Sequence, residues 1–228
     1  MLAYLYLPRS AAPPYQTVLY FPGSGAESVA THDWDLTNHL EFVIKSGRAV
    51  LVPGYSGLYE RRFPTPLPGR GESRARRDLI IQWSKDLARS VDYLESRKDI
   101  DSQKLAFYGL SLGARMGVLF TAFEKRIKAS ILLAGGLDSG DQPPEIDEIN
   151  FLPRVKVPTL MVNGRDDFRF PLLVSQKPMF QLLGPPAGDK RHAVISGGHL
   201  PTRIETIKEV LDWLDRYLGP VTAPAPGS

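Results

Sequence analysis

At 228 residues, with 43% hydrophobic and 23% charged side chains, the chain is long enough to bury one sizeable core and has the make-up of an ordinary globular domain. It contains no cysteine, which excludes disulfides, cysteine-ligated metal sites and a cysteine nucleophile. The net charge of +3 is too small to argue for a nucleic-acid or anionic-membrane partner, and no apolar run approaches the roughly 20 residues that a membrane span needs.

The N-terminus, "MLAYLYLPRS", lacks a basic n-region and has only a short apolar stretch. It reads as an edge strand from Ala3 to Leu7, stopped by Pro8, rather than as a signal peptide, so a cytoplasmic protein is expected. "TVLYF" (17–21) is a buried-strand run ending at Pro22. "DWDLTNHLEFVIKSG" follows with apolar residues at Leu36, Leu40, Phe42, Val43 and Ile44, a spacing that suits a helix, and Gly47 suits its C-terminal cap. "AVLV" (49–52) is the next strand. Residues 54–72, rich in Gly, Pro and Arg, have no period and form a long loop. Between about Ser73 and Arg97 the apolar positions Leu79, Ile80, Trp83, Leu87, Val91 and Leu94 predict a helix.

The alternation continues to the C-terminus. "KLAFYG" predicts a strand, "LGARMGVLFTAF" a helix and "ASILLAGG" a strand, followed by an acidic, proline-bearing loop over 138–156. "PTLMVNG" is a strand, "LLVSQKPMFQLLG" a helix broken near Pro178, "RHAVISG" a strand and "RIETIKEVLDWLDRYLG" an amphipathic helix. Residues 1–219 read as a single α/β domain and residues 220–228 as a flexible tail. Nearly all-apolar strands alternating with helices indicate a mostly parallel sheet covered on both faces.

In such a sheet ligands bind at the carboxyl ends of the strands, so the residues found there carry the chemistry. Gly109-Leu110-Ser111-Leu112-Gly113 follows one strand, Asn163-Gly164-Arg165-Asp166-Asp167 another, and Ser196-Gly197-Gly198-His199 a third. A G-x-S-x-G run between strand and helix places the serine on a sharp turn, where its flanking glycines approach closely and the next helix points its N-terminus at the hydroxyl. Serine is a weak nucleophile and needs a base. Of the four histidines, His32 and His39 lie around the first predicted helix and His192 sits early in its strand, whereas His199 occupies a glycine-rich turn at a strand end. Either Asp166 or Asp167 can orient that imidazole, and spacing alone does not separate them. The backbone N–H of Leu112 is one expected oxyanion donor. The second is expected from "PGSG" (22–25) after the first long strand, from Ser24 in preference to Gly25. Tyr55, Tyr59 and Phe63 in the long loop, with Phe168 and Phe170 near the acid, are candidates for the pocket wall. The arginines of residues 61–77 read as a solvated surface paired with Glu60, Glu72 and Asp78, with attraction of acidic substrates as the alternative.

The segments "YFPGSGA", "YERR", "IQWSKDLARSVDYLE", "YGLSLGA", "NGRDDFRFP", "DKRH", "GGH" and "IKEVLDWLDRYLGP" together resemble the α/β-hydrolase superfamily over nearly the whole chain. Within it the sequence is similar to the dienelactone-hydrolase and prolyl-oligopeptidase-like branch, particularly to hydrolase domains fused to some bacterial serine/threonine kinases. The resemblance implies an α/β-hydrolase fold with shortened N-terminal strands, and a Ser-His-Asp triad that needs no cofactor or metal. It favours Asp167 over Asp166, because Gly164, Asp167 and Pro171 fit the family's G-x-x-D pattern with a proline four residues on. Dienelactone hydrolases use a cysteine where this chain has Ser111, and prolyl oligopeptidases carry a propeller that this chain lacks. Neither specific activity therefore carries over. The expected activity is that of a serine carboxylesterase on small, short-chain esters. A hydrolase-like binding or regulatory module and an acyltransferase or amidase are the alternatives. Oligomeric state is not readable.

Overall fold

A computed structural model describes residues 2–69, 73–138, 140 and 142–221. Its framework is one seven-stranded sheet. The strands are β1 (Ala3–Tyr6), β2 (Tyr15–Phe21), β3 (Ala49–Pro53), β4 (Ile100–Leu110), β5 (Ile127–Leu133), β6 (Thr159–Gly164) and β7 (Lys190–Ile195). They lie in the order β1-β3-β2-β4-β5-β6-β7. Only β1 is antiparallel, pairing Ala3 with Pro53 and Tyr6 with Val50; every other pair is parallel. The helices are α1 (Asp33–Asp35), α2 (Glu41–Lys45), α3 (Ser73–Glu95), α4 (Leu112–Phe123), α5 (Lys177–Leu182) and α6 (Arg203–Leu218).

The central strands show why the sheet must be covered on both sides. Val18, Leu19, Tyr20 and Phe21 of β2 are all fully buried, so consecutive residues, which point to opposite faces, both need apolar cover. On one face Phe107 of β4 meets Phe120 of α4, and Phe21 meets Trp83 of α3. On the other, Tyr108 lines a small cavity with His39 and Phe42 from the first helical segment and Thr206 from α6. The predicted α3 face is the buried one: Leu79, Ile80, Trp83, Leu87, Val91 and Leu94 are each at most 8% exposed.

Two helices differ from the sequence expectation. The first is interrupted: a π-turn, Leu36–Leu40, joins α1 to α2. Its extra residue lets Asp35, Leu40 and Val43, which do not share one regular helical stripe, all turn inward. The segment around Pro178 likewise begins as a π-turn, Leu172–Gln176, which runs directly into α5, with Pro178 as the second residue of α5. The 138–156 loop contains two short 3₁₀ turns, Glu148–Asn150 and Leu152–Arg154. Residues 222–228 of the expected tail lie outside the described residues. No helix among the described residues is long and apolar enough to cross a membrane.

Candidate active site

Ser111 stands between β4 and α4 with φ 51° and ψ −102°, in a region that L-residues avoid. Such a conformation costs on the order of 1–3 kcal/mol and persists only where its surroundings enforce it. Here the Ser111 N–H donates to Leu133 O at 2.8 Å and the Gly113 N–H to Pro22 O at 3.0 Å. The flanking glycines are sterically required. A Cβ on Gly109 would sit 2.2 Å from Gly113 O, and one on Gly113 would sit 2.2 Å from Phe21 O.

The loops that follow β6 and β7 reach the same point. His199 Nε2 lies 2.9 Å from Ser111 Oγ, and His199 Nδ1 lies 3.0 Å from Asp167 Oδ2. A carboxylate only accepts, so Nδ1 carries the ring proton and Nε2 presents its lone pair to the serine hydroxyl. Asp167 is 3% exposed, and its other oxygen accepts from the Arg169 and Phe170 N–H groups at 2.8 and 3.1 Å. Asp166 is exposed, and its N–H donates to Gly197 O at 3.0 Å, so its backbone joins the two loops while its side chain faces away. The loops also touch at Gly164, where a Cβ would lie 1.8 Å from Gly198 O.

The other histidines have different surroundings. His32 is buried and packs against Tyr4 and Tyr6, and His39 is buried beside Trp34. Both are buried packing residues rather than solvated ones, His32 against β1 and His39 within the first helical segment. His192 lies within β7, 3.2 Å from Asn163 Oδ1, and burial pulls its pKa down to about 4 with help from Lys177.

Leu112 opens α4, so its N–H belongs to a first turn that has no carbonyl to offer it. Ser24 opens a 3₁₀ turn, Ser24–Glu27. The Gly113–Pro22 bond ties that loop to the start of α4, and a Cβ on Gly23 would be only 3.6 Å from Ser111 Cβ. Ser24, Leu112 and Ser111 therefore border one space, and all three line the same cavity.

Among the described residues two cavities meet at Ser111. One, of about 250 Å³, is charged: its walls include Glu27, Arg76, Arg115, Asp138 and Arg169. Burial raises the Glu27 carboxyl, partly offset by Arg76. The other, of about 340 Å³, is mainly apolar, with Val29, Trp34, Leu110 and Leu200 beside His199.

The aromatic candidates divide. Phe170 lines the charged cavity and its ring lies 5.8 Å from that of His199. Phe168 is 86% exposed and lines neither cavity. Tyr55 and Tyr59 are corrected to core residues. Tyr55 is fully buried against Phe21 at 4.2 Å, and Tyr59 donates its hydroxyl to Asp35 at 2.5 Å. Their large apolar rings are drawn under the loop instead of into the open site. Leu67 is a residue of that loop that does reach the charged cavity.

Among the loop arginines, Arg61 pairs with Asp86 at 3.1 Å and Arg77 with Asp78 at 2.8 Å, whereas Arg76 lines the site. Arg70 and Glu72 lie outside the described residues. Two supports were missed by the sequence reading. Gln176 is fully buried and donates to Gly164 O and Phe170 O at 3.0 and 2.8 Å, clamping the acid loop. Arg115 is buried and held by Glu148 at 2.7 and 3.1 Å and by Asp138 at 2.7 Å. A lone arginine in "LGARMGVLFTAF", an otherwise apolar helix, was a signal that could have found it.

No protein-family model matches the chain, and neither does any curated protein. Solved structures do. A cold-adapted esterase from an Arctic intertidal metagenomic library superposes with a TM-score of 0.72 at 21% identity, over 95% of this chain and 88% of that one. An acetyl xylan esterase from Paenibacillus sp. R4 gives 0.70 at 17% identity, over 95% and 79%. A 2,6-dihydroxy-pseudo-oxynicotine hydrolase gives 0.67 at 19% identity, over 98% and 66%. The chain has the α/β-hydrolase fold.

Proposed function

We propose that the protein is a serine carboxylesterase that cleaves small, short-chain esters through an acyl-serine intermediate. The observation that carries this reading is the unbroken chain of hydrogen bonds from Ser111 through His199 to the buried Asp167. In the first half-reaction Ser111 Oγ attacks the ester carbonyl as its proton passes to His199 Nε2. Asp167 holds the ring in the required tautomer and balances the imidazolium that forms. The carbonyl oxygen becomes an oxyanion between the Leu112 and Ser24 N–H groups, a kind of contact in which one donor is typically worth about 10²–10³ in rate. Collapse breaks the bond to the alcohol oxygen, which leaves with the proton from His199. In the second half-reaction water gives its proton to His199 and attacks the acyl carbon, and the acid departs as Ser111 recovers its proton. An alkoxide leaves more readily than an amine anion, which favours esters over amides.

The test is turnover of phenyl acetate, with labelling by a fluorophosphonate, in wild type and Ser111→Ala. Turnover and a single label at Ser111 are expected in the wild type only. Equal turnover in the two proteins would remove the mechanism, and equal labelling would remove the nucleophile. A binding module without catalysis would show neither activity nor labelling in wild type.

A further inference from the structure

The two cavities at Ser111 differ in chemistry, and the triad gives each a different half of the substrate. We infer that the apolar cavity takes the alcohol part of the ester and the charged cavity takes the acyl part. The preferred substrate is then an ester of a small apolar alcohol with a short acid that bears a second oxygen function. This inference rests on the esterase reading above.

The direction follows from the proton. His199 Nε2 must deliver the proton it took from Ser111 to the departing alcohol oxygen, so that oxygen lies on the His199 side of the nucleophile. His199 lines the apolar cavity and not the charged one. The oxyanion occupies the space bordered by Ser24 and Leu112. The remaining substituent on the tetrahedral carbon, the acyl chain, is left with the side away from His199. That side is the charged cavity, which Leu112 lines and His199 does not.

The walls then state what each half must be. On the alcohol side Val29, Trp34 and Leu200 are partly exposed apolar side chains facing the site. The acid on that wall, Asp35, already accepts the hydroxyls of Tyr20 at 2.7 Å and Tyr59 at 2.5 Å. An aryl or small alkyl group covers such a surface at a gain; a polar alcohol would be desolvated without a partner. On the acyl side three guanidinium groups, Arg76, Arg115 and Arg169, line one cavity with the carboxyl groups of Glu27 and Asp138. Arg115 is anchored by Glu148 and Asp138, while Arg169 lies over the Phe170 ring, 3.7 Å from Asp138 and 56% exposed at its side chain. A hydrocarbon chain would strip water from the Arg169 head and return nothing, whereas an ether, hydroxyl or carboxylate oxygen accepts its N–H bonds. The volume of about 250 Å³ keeps that chain short.

The experiment compares kcat/KM, each divided by the rate of alkaline hydrolysis of the same ester. The acyl series is phenyl butanoate, its oxygen-bearing isostere phenyl methoxyacetate, and monophenyl succinate. The alcohol series is phenyl against methyl methoxyacetate. A preference of roughly five-fold or more is expected for the oxygen-bearing acyl groups and for phenyl over methyl, the size of one added hydrogen bond or buried apolar group. The methoxyacetate and succinate arms separate a neutral acceptor from an anionic one. Arg169→Gln should lower the acyl ratio and Trp34→Ala the phenyl-to-methyl ratio. Crossed effects, with Arg169→Gln moving the alcohol ratio and Trp34→Ala the acyl ratio, overturn the orientation. Ser111-dependent turnover with no acyl preference overturns the inference alone. Absence of Ser111-dependent turnover on every ester overturns the esterase reading and this one with it.

Discussion

Replacing Asp167 by asparagine changes one atom, and the surroundings of that atom determine the outcome. The Asp167 oxygen that faces the backbone accepts from the Arg169 and Phe170 N–H groups at 2.8 and 3.1 Å. An asparagine keeps both bonds only by placing its carbonyl oxygen there, which turns its NH₂ group toward His199 Nδ1. That nitrogen must then accept, so the ring proton moves to Nε2 and faces Ser111 Oγ across the 2.9 Å contact. The serine loses its base without any shift in geometry. We expect Asp167→Asn to lower kcat by about 10³–10⁴, equivalent to roughly 4–5.5 kcal/mol in the barrier. Stability should stay within about 1 kcal/mol, because the buried hydrogen bonds survive. The assay is kcat on phenyl acetate alongside urea denaturation. Asp166→Asn, whose side chain is exposed, should cost less than about two-fold in rate. A loss below ten-fold at Asp167, or an equal loss at Asp166, would refute this reasoning.

Three further outcomes are open to measurement. Gly113→Ala puts a Cβ 2.2 Å from the Phe21 carbonyl oxygen and should cost more than about 2 kcal/mol in urea denaturation, while Gly25→Ala, with no atom within 4 Å of the new Cβ, should stay within about 0.5 kcal/mol. Arg115→Met removes the cation that Glu148 and Asp138 share and should destabilise by about 3–5 kcal/mol, so a loss below 1 kcal/mol would mean the three groups are not coupled as described. His192, held near pKa 4 against an ordinary 6.5, favours the fold only while neutral. Its contribution is complete above about pH 6.5 and fades as the pH falls toward 4, an effect of about 1–2 kcal/mol once its partial exposure is discounted. His192→Gln should flatten the stability profile between pH 7 and 5, and an unchanged profile would dismiss the assignment.

Strands and strand ends were legible in the sequence because parallel strands buried on both faces must be continuous apolar runs, and the turns after them need glycine. The positions of Ser111 and His199 at such ends follow from that grammar. The choice between Asp166 and Asp167 does not, since a one-residue difference in a turn reverses which side chain points inward; the family resemblance favours Asp167, and in the structure it is Asp167 that is buried and lies 3.0 Å from His199 Nδ1. Tyr55 and Tyr59 were misread for a related reason. An aperiodic loop gives no register from which to tell an aromatic that walls a site from one that packs beneath it. The charged cavity was equally hidden, because Arg115, Asp138 and Arg169 come from three separate segments and meet only in the fold.

β7 is the last strand of the sheet and has β6 as its single neighbour. His199 follows that strand, while Ser111 follows β4, near the middle. His199 is thus carried by one edge of the sheet, with a single neighbouring strand, and Ser111 by a part with neighbours on either side. Peeling the rim would uncouple His199 from Ser111 while most of the core was still intact. Under the proposed mechanism, heat or denaturant should therefore abolish Ser111-dependent turnover before it melts the domain, leaving over a narrow interval a folded protein in which Ser111 and His199 have parted.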